Sequence, residues 1–253
     1  MVTGIPRTID SHCHITHRVF DADREQILAE CSKRHLLLVN SALDETEAKF
    51  SFHLSEKGVL TSVGFDPKIL SREEAQKITD FILTYERKMV AIGEVGLDWF
   101  WVREHSRREE QERIFLQFVH LADRLGKPLV VHSRSAGVRC GELLLSLGFK
   151  RVLMHAYDGS VQRAVDFASK GFLFSIPPSS IRSEHKRKLV KALPVDALLL
   201  ESDAPALGPV QGERNLPTNV FVSADFIRSV KGVELEHVLR ETYSNSAKFF
   251  GLE

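Results

Sequence analysis

Short apolar runs alternate with longer stretches of helical periodicity along almost the whole chain. The runs Thr8–His12, Leu36–Ser41, Val59–Gly64, Met89–Glu94, Pro128–His132, Arg151–His155, Gly171–Ser175 and Ala197–Glu201 are rich in Val, Ile and Leu. Their near-continuous apolar character is that of strands covered on both faces. Between them, Arg107–Leu125 sets Ile114, Phe115, Phe118, Val119, Ala122 and Leu125 at helical spacing, which predicts a helix packed on a core. Ser71 with Glu74 reads as a capping box opening a helix over Ser71–Arg87. Gly126 stops the helix before it, and Lys127–Pro128 leads into the next strand. Ser183–Leu193 and Thr218–Val230 are further helices, and Val233–Phe249 is a last one that closes the domain. No linker, repeat or composition shift divides the chain. The alternation predicts an α/β fold: a single (β/α)8 TIM barrel over residues 1–253, with a C-terminal closing helix.

Composition adds boundaries. The 253 residues, 43% of them apolar, suffice for such a core. Lys plus Arg is 34 and Asp plus Glu is 34, a net charge of +0. That disfavours a protein gripping nucleic acid over a broad basic surface and leaves a local patch open. The longest apolar strings, Leu36–Val39 and Ala197–Leu200, are too short to span a bilayer, so no membrane partner is expected. The N-terminus lacks a signal-peptide stretch. Cys13, Cys31 and Cys140 form no C-x-x-C and are odd in number. An intracellular protein, cytoplasmic or nuclear, with reduced thiols is expected, and no obligate protein partner is implied.

What carries chemistry is the placing of the 11 histidines. His12 and His14 form H-x-H at the end of the first strand, where alternate residues share a face. Glu94, His132, His155 and Asp203 each stand at or just beyond the end of a later strand. In a barrel those ends converge on one mouth. Four imidazoles and two carboxylates there suit one or two divalent cations. Nitrogen and oxygen donors without thiolate fit Zn²⁺ or Mn²⁺, and less readily Mg²⁺. His17, His35, His53, His105, His120, His185 and His237 have no such partners and read as surface or packing residues.

With these residues assembled, the chain resembles the TatD family of metal-dependent hydrolases, within the amidohydrolase-like barrels. The strings are Ile92-Gly93-Glu94-Val95-Gly96-Leu97-Asp98, Val131-His132-Ser133-Arg134, His155-Ala156-Tyr157-Asp158-Gly159 and Glu201-Ser202-Asp203-Ala204-Pro205. Phe174–Ser179 and Ala206–Pro209 look most like the branch of TatD domain-containing protein three. The resemblance implies two metals per chain. His12, His14, Glu94 and Asp203 would hold one, and Glu94, His132 and His155 the other. It also implies hydrolysis of DNA phosphodiesters, often from the 3′ end. Two departures bear on substrate. Gly64-Phe65-Asp66-Pro67 has Asp66 where many members carry a histidine, and Arg214-Asn215-Leu216-Pro217 lacks the family's late carboxylate.

On this reading, cations bridged by Glu94 lower the pKa of a bound water from 15.7 toward roughly 7, and Asp203 is the expected general base. Arg134 suits bidentate contact with a substrate phosphate, or a strand-end salt bridge to Asp98. Asp98 is placed to accept the outer N–H of a ligating histidine and, with Asp66, to line the substrate approach. Glu201 would act as Asp98 does, and Ser175 either faces the mouth or serves the fold. Trp99, Phe100 and Trp101 read either as a base-stacking loop or as a loop anchor. The run His185–Lys188 with Lys191 is a solvated helix face, or a track for a nucleic-acid backbone. DNA ends are the leading substrate. A small phosphoester, amide or lactone is the alternative, and a catalytically weak binding scaffold is a third reading.

Overall fold

The computed structural model describes residues 7–252, so the ends of the expected 1–253 span lie outside the described residues. Eight strands follow one another around one sheet: β1 (Thr8–Cys13), β2 (Leu36–Ala42), β3 (Val59–Val63), β4 (Ala91–Gly96), β5 (Leu129–His132), β6 (Val152–Met154), β7 (Leu173–Ile176) and β8 (Leu198–Leu200). Every pair from β1·β2 to β7·β8 is parallel. The helices between and after them are α1 (Arg24–Lys33), α2 (Glu45–His53), α3 (Arg72–Tyr85), α4 (His105–Leu125), α5 (Gly137–Ser146), α6 (Val161–Ala168), α7 (Glu184–Ala192), α8 (Val220–Lys231) and α9 (Leu235–Phe250). The chain is the expected TIM barrel. Among the described residues no helix is long and apolar enough to cross a membrane.

Beyond these parallel pairs, β1 and β8 are joined toward their C-terminal ends. Ser11 Oγ donates to Leu200 O (2.8 Å), Asp203 N to His12 O (2.9 Å) and His14 N to Ala204 O (2.8 Å). Asp10 adds a side-chain clasp, accepting from Ser202 N (2.8 Å) and Ser202 Oγ (2.5 Å). The barrel's seam is therefore tied by the residues flanking His12, His14 and Asp203.

Alternate residues of a strand face opposite sides, and the core divides accordingly. Leu198 and Leu200 belong to a large cluster between the strands and the helices, together with Val152, Met154, Leu129 and Val131. Leu199, Leu153, Val130, Val39, Ala91 and Ile9 form a second cluster inside the barrel. Ala247, Phe249 and Phe250 of α9 join that inner cluster, the two rings meeting edge to face at 4.9 Å. The C-terminal helix thus stops the barrel with two aromatic rings, as the expected closing helix should.

Boundaries moved where turns intervene. The fourth strand begins at Ala91 instead of Met89, because Glu86–Lys88 still forms a 3-10 turn. It also runs on to Gly96, which pairs with His132. The sequence pattern ended it at Glu94, but its glycines are there for close approach. A Cβ on Gly96 would lie 1.9 Å from His132 O, and one on Gly93 2.5 Å from Val130 O. The sixth and eighth strands are shorter than expected, leaving His155 and Glu201 on the loops beyond.

Helix α4 buries Ile114, Phe115, Phe118, Val119 and Ala122, with Leu125 partly buried against the same cluster. Gly126, at φ 61, caps it by donating its N–H to Asp123 O and so ends it. Phe118 is wholly buried and stacks on Phe65 at 5.8 Å. Phe118→Ala is expected to cost about 3–5 kcal/mol of stability, read as a lower urea midpoint. A loss below about 1 kcal/mol would contradict this packing.

Candidate metal centre

The four histidines and two carboxylates singled out by the sequence meet at the C-terminal ends of the strands. His12 Nε2 is 3.2 Å from Glu94 Oε2 and 3.4 Å from Asp203 Oδ1. His14 Nε2 lies 3.6 Å from the same Asp203 oxygen. His155 Nε2 is 3.1 Å and His132 Nδ1 3.7 Å from Glu94 Oε2, and the two ring nitrogens are 3.3 Å apart. One oxygen of Glu94 therefore faces imidazoles from β1, the end of β5 and the loop after β6. His12, Glu94 and His155 form one group with metal-ligand spacing, and His12, His14 and Asp203 another.

Two observations test whether a cation suits these residues. His12 Nε2 is buried, close to two carboxylates, and without a hydrogen bond of proper geometry. A buried imidazole nitrogen left so is costly unless something other than a proton fills the gap. The donor set, nitrogen and carboxylate oxygen only, is also that of divalent-cation sites. The residues fit.

Three of the four histidines are each aimed by a further residue. His132 turns Nε2 to Asp98 Oδ2 at 3.1 Å, which leaves Nδ1 for the centre. His14 turns Nδ1 to Ser41 O at 2.9 Å and keeps Nε2 inward. His155 Nδ1 lies 3.4 Å from Glu201 Oε2, an oxygen that also accepts from Ser175 Oγ at 2.6 Å. Glu201 Oε1 holds Ala156 N at 2.9 Å. Such outer partners fix which nitrogen is offered to a metal. Ser41 serves twice, since its Oγ accepts the Glu94 N–H at 2.8 Å.

Electrostatics follow from this crowding. Burial alone would push the Glu94 carboxyl up, but its contacts with His12, His132 and His155 hold it well below the carboxylate range. Asp203 is lowered for the same reason, by His12 and His14 against burial. The imidazoles respond in kind. Burial disfavours the charged form of His132, yet Asp98 and Glu94 raise it to about 9. Burial and the neighbouring His155 oppose protonation of His12, and Asp203 and Glu94 overcome them, again to about 9.

The remaining expected site residues lie at the rim. Asp98 is buried with both oxygens engaged, Oδ2 by His132 and Oδ1 by the N–H groups of Phe100 (3.1 Å) and Trp101 (3.0 Å). Arg134 is exposed, its guanidinium 3.8 Å over the Phe100 ring, and forms no salt bridge with Asp98. Asp66 is half-buried beyond β3 and pairs with Lys68 at 3.1 Å, outside the imidazole cluster. None of the other seven histidines is buried.

Three contributors were not read from the sequence as site residues. Ser41 stands at the polar end of an otherwise apolar strand, a signal that was available. Lys186 was grouped with a solvated basic face, but its Nζ donates to Ala156 O (2.8 Å) and Tyr157 O and holds the loop after His155. Asn215 donates to Ser202 O and Ala206 O, both at 2.7 Å, and so braces the loop carrying Asp203. No spacing rule foretells either of the last two contacts.

Comparison with known proteins identifies the family. Residues 9–251 match the family model described as TatD related DNase. Deoxyribonuclease TATDN3 of Homo sapiens is 38% identical over 257 residues, covering 96% of this chain and 94% of its own length. An uncharacterized metal-dependent hydrolase of Methanocaldococcus jannaschii, MJ1582, is 30% identical, with 96% of each chain covered. In fold, the chain is similar to the crystal structure of YJJV, a TatD homologue from Escherichia coli, with a TM-score of 0.88 at 24% identity over 98% of this chain and 100% of that one. On the match from residue 9 to residue 251, the chain belongs to the TatD related DNase family and is a metal-dependent hydrolase acting on ester bonds.

Proposed function

We propose that the chain hydrolyses DNA phosphodiesters from strand ends, in the 3′ to 5′ direction, with two divalent cations. The observation that carries this reading is Glu94 Oε2, which lies within 3.7 Å of ring nitrogens of His12, His132 and His155. His12, His14 and Asp203 would hold one cation and His132 and His155 the second, with Glu94 between them. Zn²⁺, Mn²⁺ and Mg²⁺ each match the donors. Bound there, such cations supply Lewis acidity toward the phosphoryl oxygens and a water acidic enough to attack near neutral pH.

The protein's own groups do the rest. Asp203 Oδ1 lies among His12 and His14 with its carboxyl held ionised, so it can take the proton of the attacking water. The water oxygen bonds to phosphorus, the bond from phosphorus to the 3′ oxygen of the remaining strand breaks, and Asp203 returns the proton to that oxygen. Arg134, exposed two residues beyond His132, is the residue for the substrate phosphate. Asp98, with both oxygens committed, positions His132 and does not meet substrate. Asp66 favours a second reading, hydrolysis of a small phosphoester, amide or lactone, because an ionised carboxylate at the rim repels a polyanion. Its pairing with Lys68 lessens that repulsion.

Metal-loaded protein with end-labelled single- and double-stranded DNA separates the two. Shortening of the DNA is expected, and Asp203→Ala should slow it about 10²–10⁴-fold, with His132→Ala also impaired. Turnover of aryl phosphodiesters, esters or lactones with the DNA left intact supports the second reading instead.

A pH effect on loading follows from the raised imidazoles. With a folded pKa of about 9, His132 and His12 carry protons in the metal-free chain at neutral pH, and a cation must displace them. Affinity should rise with pH up to about 9 and fall steadily below it. Calorimetric titration at pH 7 in buffers of different ionisation enthalpy should register proton release. Identical heats in all buffers would contradict it.

A further inference from the structure

Building on the reading above, we propose that Trp101 and Phe100, with Arg134, form a stacking subsite for an unpaired terminal DNA base beside the metal centre. Of the three aromatics after Asp98, one is explained by the fold. Trp99 is partly buried against the main core, and Arg108 lies 4.6 Å over its ring. It anchors the loop. Trp101 does not serve the fold in that way. It is 62% exposed, the most exposed large hydrophobic side chain among the described residues. Among the described residues its one aromatic ring partner is Phe100, edge to face at 5.3 Å.

This surface is not a loose loop tip. Asp98 Oδ1 accepts the backbone N–H groups of both Phe100 and Trp101, while its Oδ2 holds His132. One buried carboxylate therefore fixes the two aromatics and a metal-ligating imidazole to each other. Arg134 comes from the other side, on the loop after β5, and places its guanidinium on Phe100. An additional hydrogen bond, from Trp99 N to Arg134 O at 2.9 Å, joins the two loops. A flat exposed indole, an aromatic edge and a cation in one rigid group match a base and its attached phosphate. The base stacks on the ring, and the phosphate answers the guanidinium. A paired base would have to leave its duplex first, so the subsite selects single-stranded or frayed ends.

The test is a cycle between protein and substrate. A 5′-labelled single-stranded oligonucleotide ending in a normal 3′ nucleotide is compared with one ending in an abasic residue, both with phosphorothioate end linkages to slow cleavage. Binding to metal-loaded protein is read by fluorescence anisotropy, and shortening of the unmodified oligonucleotide is followed on gels. Wild type should prefer the base-bearing end. Trp101→Ala should reduce that preference about 5- to 100-fold, Phe100→Ala should reduce it less, and Trp101→Phe should restore most of it. The exposure of Trp101 makes these variants safe for folding. Equal preference in wild type and Trp101→Ala overturns the subsite, as does a wild type that ignores the base or binds no DNA. A base-dependent affinity with no shortening keeps the subsite and overturns the nuclease reading, so the two fail separately.

Discussion

A buried carboxylate set among imidazoles is the constraint from which the rest follows. Glu94 is 7% exposed, and an isolated charge there would be prohibitive. It is tolerated because His12 of β1, His132 at the end of β5 and His155 on the loop after β6 converge on the same oxygen. His132 and His155 are in turn oriented by Asp98 and Glu201, and Ser41 orients His14 and holds the Glu94 N–H, so the charge of the centre is spread through further polar contacts. Removing one member leaves its partners buried and unsatisfied, which is why breaking such networks is expensive. The arrangement could hold a cation, which would satisfy the buried His12 Nε2 where no hydrogen bond of proper geometry does.

Holding the six candidate ligands to this geometry is a task for the barrel. Its seam is the critical place, because β1 brings His12 and His14 and the loop after β8 brings Asp203. The Asp10–Ser202 clasp and the backbone bonds around it join those segments directly. At the other end, Phe249 and Phe250 fill the barrel and keep the strands spaced. Candidate site and fold share this segment, since the residues that tie the seam flank His12, His14 and Asp203.

Much of this was legible in the sequence. The placing of His12, Glu94, His132, His155 and Asp203 near or just beyond the C-terminal ends of strands follows from periodicity, because an apolar run has a visible end to within a few residues. The face of α4 followed from its 3.6-residue spacing. What stayed hidden depends on distant contacts. Asp98 and Arg134 could be read as a salt-bridged pair, but the loop geometry gives Asp98 to His132 and backbone N–H groups and sets Arg134 on Phe100. Lys186 looked like one more charge on a solvated helix until its Nζ was seen on two carbonyls after β6. The extension of β4 to Gly96 was hidden because glycine ordinarily marks a strand's end, and here it admits the neighbouring backbone.

The central claim is that Glu94 joins two cation sites. Metal content per chain settles it most directly, measured by native mass spectrometry of wild type and Glu94→Gln after reconstitution and removal of loose metal. The account predicts two divalent ions per wild-type chain and loss of at least one in Glu94→Gln, with the variant still folded. A single ion in wild type, retained unchanged in Glu94→Gln, would contradict it.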